Sequence, residues 1–274
     1  MSSTTLPARR NGALKTLDEI GVFVWRNLAH IPRVPERLLD VTVQPIMFVL
    51  LFGYIFGSAI DVQGGNYREF LMAGIFIQTL AFGSMQTAVG VVNDFSEAVV
   101  DRFRALPISS VSILVGRAIA SLLEGLLGIV VMAACGLVVG WAPHGTPLET
   151  LAGLGLMMFF AFSMISVGTF IGLAVRSVGT AQTFGFVLIF PLTFASNAFV
   201  PIDNMPWILR FLTDWSPVTP VVAALRQLFH NPNPLPPDAA WPLQHPIEAS
   251  LLWCVALTVV FMGLAVWRYA ARKG

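Results

Sequence analysis

The sequence predicts an all-α integral membrane protein with six transmembrane helices. Three observations carry this. Hydrophobic residues make up 56% of the 274 residues and charged residues only 11%, with a mean hydropathy of +0.76. A soluble domain carries about a quarter charged residues. The apolar residues gather into six runs, each near the ~20 residues that cross a bilayer. Finally, 13 of the 16 Lys and Arg sit in segments that alternate to one side of those runs.

Residues 1–37 read as a cytoplasmic tail with an interfacial amphipathic helix, and residues 38–274 as the six-span domain. In the first segment Leu14, Leu17, Val24, Trp25 and Leu28 alternate at helical spacing with Lys15, Asp18, Glu19, Arg26 and Asn27. That stretch is too polar to span, and a Trp among basic residues suits the headgroup layer. Pro32 and Pro35 break the chain before the membrane. Spans are expected at Leu38–Ile60, Phe70–Val92, Val111–Val139, Leu151–Val175, Thr180–Val200 and Ala249–Trp267. The third is longer than a bilayer needs, so its first turns, up to Arg117, project into the cytoplasm. Pro45 and Pro191 fall inside spans, where neighbouring helices satisfy the carbonyls a proline frees. Gly53 and Gly57, four apart, are a weak signal for close helix packing.

Orientation follows from the basic residues. Arg9, Arg10, Lys15, Arg26, Arg33, Arg37, Arg102, Arg104, Arg117, Arg176, Arg268, Arg272 and Lys273 fall on one side, and Arg68, Arg210 and Arg226 on the other. The richer side is cytoplasmic, which places both termini inside.

Between spans two and three lies a polar island, residues 93–110, containing Asp94, Glu97, Asp101, Arg102 and Arg104. Mixed charge between two long apolar runs cannot sit in hydrocarbon. Phe95, Val99, Arg102, Phe103 and Leu106 share a helical stripe, and Pro107 ends it. The plain alternative is a solvated loop; the reading preferred here is a short helix that docks a cytoplasmic partner. The loop after span five, residues 201–248, is the longest. Its stretches Trp207–Leu212 and Pro220–Phe229 are apolar but too short to span. They either dip back into the outer leaflet or form a surface cap, with Trp207, Trp215 and Trp241 at the interface.

Glu124 is an acid deep in span three, which costs roughly 2.5–3.5 kcal/mol at a helix centre. Either it lines a polar path, or it braces the helix near the inner interface. Arg117 is two turns away, so Gln78 or Gln86 of span two is the nearer expected partner. With Asn197 these make up the candidate path residues. No phosphate-binding Gly-x-x-x-x-Gly-Lys-Ser/Thr loop, zinc-protease His-Glu-x-x-His or nucleophile Gly-x-Ser-x-Gly is present. The four histidines are scattered in loops. Cys135 and Cys254 sit in apolar runs as packing residues, and a net charge of +1 offers nothing to nucleic acid.

Two stretches carry a family resemblance. Asp101-Arg-Phe-Arg-Ala-Leu-Pro-Ile-Ser109 resembles the cytoplasmic coupling helix of type-2 ATP-binding-cassette exporters, although Val99-Val100-Asp101-Arg102 stands where many relatives have Gly-Thr-x-Glu. Ala198-Phe-Val-Pro-Ile-Asp-Asn-Met-Pro-Trp207, with Trp215-Ser-Pro217 and Ala223-Ala-Leu-Arg226, resembles the signature across span five and the outer hairpin of that family's membrane subunit, especially in the daunorubicin-resistance permeases. The resemblance implies a multi-pass permease of the bacterial plasma (inner) membrane with a re-entrant outer hairpin between spans five and six. It implies pairing with a second permease subunit, identical or not, and docking on a separate ATPase subunit through Asp94, Glu97, Asp101, Arg102 and Arg104. ATP and magnesium would bind that ATPase, with no cofactor or metal in this chain. The expected cargo is a hydrophobic or amphipathic drug or lipid. A polysaccharide or glycolipid exporter and a non-transporting membrane scaffold are the alternatives, and an intramembrane enzyme is disfavoured by the missing motifs.

Overall fold

A computed structural model describes residues 43, 46–56, 65–95, 110–199, 206–236 and 238–271. The interfacial helix, much of the first span and the coupling residues Glu97, Asp101, Arg102 and Arg104 lie outside the described residues. Helix α1, residues 46–56, ends in a π-helical turn, Leu51–Phe56. There follow α2 (Tyr67–Asp94), α3 (Ser110–Val139), α4 (Pro147–Ala174), α5 (Val178–Phe194), α6 (Trp207–Asp214), α7 (Val218–Leu228), α8 (Trp241–Gln244) and α9 (Pro246–Ala271).

Four helices, within α2, α3, α4 and α9, are long and apolar enough to cross a membrane; α5 is apolar but shorter. α2 and α4 are the inner pair, with 67% of their most apolar stretches buried, against 28% for α3 and 22% for α9. The outer pair presents Val130, Leu137, Val138, Leu252, Val259 and Val266 at its surface, side chains suited to lipid.

Several helix starts are fixed by local chemistry. Asn66 accepts from the Arg68 amide and starts α2 three residues before the expected Phe70. Thr146 and Glu149 form a capping box, and Pro147 occupies the first turn, so α4 begins ahead of Leu151. α5 stops at Phe194, short of the expected Val200. The following turn directs the carbonyls of Asn197 and Ala198 at a side chain of α7, so they do not continue a helix.

The inner pair meets through small residues. A side-chain carbon at Gly168 would land on the Ser84 carbonyl, and one at Gly172 would meet the Ala88 carbonyl and Val91. This is the close-approach seam expected where packing drives association within a membrane. At Gly53 a methyl would meet Val139 at an ordinary 3.6 Å among the described residues, and Gly57 lies outside them. Gly168→Ala forces α4 away from backbone that cannot yield, an overpacking cost of about 1–3 kcal/mol. Gly155 is exposed with open space about it. Thermal unfolding in detergent should show a lower Tm for Gly168→Ala and an unchanged or higher Tm for Gly155→Ala.

Candidate functional site

The functional geometry concentrates at the two ends of α2. At its C-terminal end Asp94 accepts from Arg117 Nε of α3 at 2.6 Å, with both side chains 13% exposed. The guanidinium lies against Gly90, where a side-chain carbon would collide with it. The pair therefore clamps α2 to α3 where the polar island leaves the bundle. Of the five predicted docking residues, Asp94 alone is described, and it serves as a brace between the helices. Arg117, considered as a partner for Glu124, is used here.

Glu124 is half-buried near the middle of α3. α3 meets α2 at this level through the Thr87 hydroxyl, which donates to Ser121 at 3.5 Å, and through Gly125 beside Leu80. Gln78 is buried and Gln86, eight residues on, is exposed. Asn197 is buried at the opposite end of the bundle, and its side-chain oxygen has no hydrogen-bond partner among the described residues.

The N-terminal end of α2 holds what sequence reasoning missed. Arg226, counted there as one of three loop arginines, lies in the last turn of α7 and is 1% exposed. Its Nε donates to the Phe70 carbonyl at 2.9 Å, and its Nη2 donates to the Asn197 and Ala198 carbonyls at 2.9 and 3.2 Å. The guanidinium carbon stands 3.5 Å above the Phe70 ring. Beside it the Tyr67 hydroxyl donates to the Phe199 carbonyl at 2.9 Å, and Gly74 abuts the Ala198 carbonyl. The available signal was Arg226 itself, one cation inside an apolar run.

The other two arginines at this end are also engaged. Arg68 donates to the Gly53 and Val139 carbonyls, and Arg210 bonds the Asp238 carboxylate at 2.6 Å with Asp214 at 3.9 Å. Burial pushes the Asp214 carboxyl above the usual carboxylate range, opposed by Arg210, while the bond from Arg210 holds Asp238 below it. Two of the loop histidines meet acids: His144 lies 2.9 Å from Glu69, and His230 lies 3.2 Å from Glu149. Trp141 donates to Asn231, which returns a bond to the Ala142 carbonyl.

The hairpin divides into two unlike helices. Every residue of α7 from Val218 to Arg226 is buried, packed on α2, α4 and α9. On α6 Trp207, Ile208, Leu209, Phe211 and Leu212 are exposed, Trp207 at 79%. Of the two expected apolar stretches, the second is thus enclosed by protein and the first remains a surface helix. α5 is buried only along Ala181, Gly185, Ile189 and Thr193. Its open face carries a row of stacked rings, Phe186, Phe190 and Phe194, which continues through Phe199 to Phe52 and Phe48 with centroids 4.4–5.7 Å apart.

The sequence pattern of the family described as "ABC-2 type transporter" matches residues 18–230. The chain is 26% identical over 231 residues to the daunorubicin resistance ABC transporter permease protein DrrB1 of Streptomyces coeruleorubidus, covering 84% of this chain and 80% of that protein. It is 24% identical over 275 residues to the doxorubicin resistance ABC transporter permease protein DrrB of Mycobacterium tuberculosis, covering 94% and 90%.

The clamp at Gly90 yields a non-additive prediction. Gly90→Ala displaces the guanidinium and breaks a half-buried ion pair, at a cost of about 2 kcal/mol, between the exposed and fully buried cases. Once Arg117→Met has removed the guanidinium, the same substitution gains helix propensity of up to ~1 kcal/mol. A double-mutant cycle on unfolding should therefore show Gly90→Ala destabilising the wild type and neutral or stabilising in Arg117→Met.

Proposed function

The chain belongs to the ABC-2 type transporter family, and from that premise we propose that it is the permease subunit of an ATP-driven exporter that moves a hydrophobic or amphipathic drug out of the cytoplasm or inner leaflet. α1 and α5 complete six crossings with the four long helices, and the Lys and Arg distribution puts the hairpin end outside and both termini in the cytoplasm. Two permease subunits, identical or not, flank a path. Each docks on a separate ATPase subunit that carries ATP and magnesium.

The observation that carries this reading is the clamp at the docking end. Asp94 and Arg117 fix α2 and α3 to each other near the two points where the polar island begins and ends. A load on Glu97, Asp101, Arg102 or Arg104 is then shared by two membrane helices. Glu124, on one of the two helices that island would move, stays a path candidate. The stacked phenylalanines on the open face of α5 offer apolar surface without hydrogen-bonding groups. That favours a hydrophobic cargo over a glycan, whose hydroxyls would go unmatched, and the relatives' names point to drugs.

The test is reconstitution in proteoliposomes with and without the ATPase subunit, with doxorubicin as the fluorescent cargo. The chain alone should hydrolyse no ATP, and the complex should transport doxorubicin in an ATP-dependent manner. ATPase activity in the pure chain, or ATP-independent transport by it, would contradict the proposal. Arg104→Glu in the same assay should weaken ATPase capture, since losing an interfacial charge pair costs about 2–5 kcal/mol when buried. Unchanged capture and transport in both Arg104→Glu and Asp101→Lys would make the island a solvated loop.

A further inference from the structure

The buried Arg226 has no place in the function just described, and it is among the largest fully buried side chains of the described residues. A guanidinium out of water costs several kcal/mol unless it is well satisfied. The three donors described go to backbone carbonyls on two separate segments: Phe70 in the first turn of α2, and Asn197 with Ala198 just past α5. The side chain belongs to a third element, α7. Three parts of the chain, far apart in sequence, thus meet on one planar group. Only a fork with fixed geometry reaches acceptors on both sides at once, and an ammonium does not.

The setting also supplies charge compensation. Arg226 lies in the last turn of its own helix, where the helix dipole favours a cation. Its flat face rests on Phe70. Opening this arrangement would strand a buried cation together with the Asn197 and Ala198 carbonyls. Apolar contacts alone would let α7 slide, whereas these directional bonds hold it in register.

The same helix that Arg226 grips is clamped at its other end to α3 by Asp94–Arg117. α2 is 28 residues long, about 42 Å at 1.5 Å per residue. It runs unbroken from the docking island to the hairpin.

We propose that Arg226 is a positioning residue that fastens the outer hairpin to α2 and to the end of α5, so that the hairpin follows α2 when the ATPase displaces the other end of that helix. The proposal rests on the permease reading above. The joint holds through the transport cycle, and it makes the outer closure an extension of α2. Tyr67–Phe199 and Gly74–Ala198 are secondary fastenings of the same two segments.

The test uses the whole complex of this chain with its ATPase subunit in proteoliposomes, with doxorubicin as probe. Three quantities are read: assembled complex, doxorubicin moved per ATP hydrolysed, and hydrogen exchange of residues 206–231. Arg226→Lys keeps the charge and loses the fork. It should assemble, and it should hydrolyse ATP within about twofold of wild type, while transport per ATP falls about tenfold, because coupling is lost rather than activity. Hairpin exchange should quicken about tenfold as the local opening becomes easier. Arg226→Met, which leaves the carbonyls unmatched, should lose assembled complex. Wild-type transport per ATP in Arg226→Lys would overturn the proposal whether or not exchange changes, because the residue would then be structural only. If Arg226→Lys does not assemble, Tyr67→Phe carries the test: it removes one bond of the joint and should lower transport per ATP about threefold, and no change overturns the proposal. A wild-type complex that moves no doxorubicin counts against the permease reading. The joint is then judged by exchange alone, and unchanged hairpin exchange in Arg226→Lys overturns it.

Discussion

One cation, buried without a carboxylate beside it among the described residues, organises the end of the bundle that carries the hairpin. The Arg226 guanidinium is 1% exposed and is held by carbonyl oxygens and an aromatic face. Two of these carbonyls, those of Asn197 and Ala198, are available because they lie beyond the end of a helix. α5 stops at Phe194, and the peptide groups beyond it have no helical partners to occupy them. A longer α5 would have used those carbonyls internally and left Arg226 with an uncompensated charge. The early end of α5, the enclosure of α7 and the burial of the arginine therefore form one structural solution.

From that joint the rest of the arrangement follows. With α7 enclosed by α2, α4 and α9, the hairpin can present only α6, and α6 is apolar on its outer side. The inner pair α2 and α4 approaches closely through Gly168 and Gly172. At the far end the Asp94–Arg117 clamp sits where the chain leaves the bundle. α2 is thus held at both ends by arginine and supported along its side by glycine contacts.

Much of this was legible in the sequence, and the unread part has a physical cause. Apolar runs are long and distinct, so α2, α3, α4 and α9 fall close to where hydropathy places them. Their starts were displaced because caps such as Asn66 and Thr146 lie outside the apolar run that marks a span. Asp94 was picked out as a docking residue, but its pairing with Arg117 was not foreseen, since a contact across a loop leaves no trace in spacing. Arg226 was counted as an outside-loop cation because loop charges usually face water. Only three-dimensional closure shows that its loop is a helix inside the protein. His144 and His230 read as scattered, and they meet Glu69 and Glu149 only through the packing of separate loops. Glu124 stood out by its cost in a span. Around it α3 meets α2 through Thr87 near Ser121 and Leu80 near Gly125.

The central claim is that α2 and the hairpin helix α7 move as one body. The most direct measurement is the distance between spin labels at Gln86→Cys on α2 and Gln227→Cys on α7. Both native residues are exposed, and Cys135 and Cys254 would first be replaced by alanine. The measurement is made in the complex with its ATPase subunit, without nucleotide and with ATP trapped. A rigid joint predicts that this distance stays constant to within about 2 Å, the scale of a small helix shift, while distances between the two permease subunits change. A change in the Gln86–Gln227 distance well beyond that on ATP binding would show the hairpin moving independently of α2 and would contradict the account.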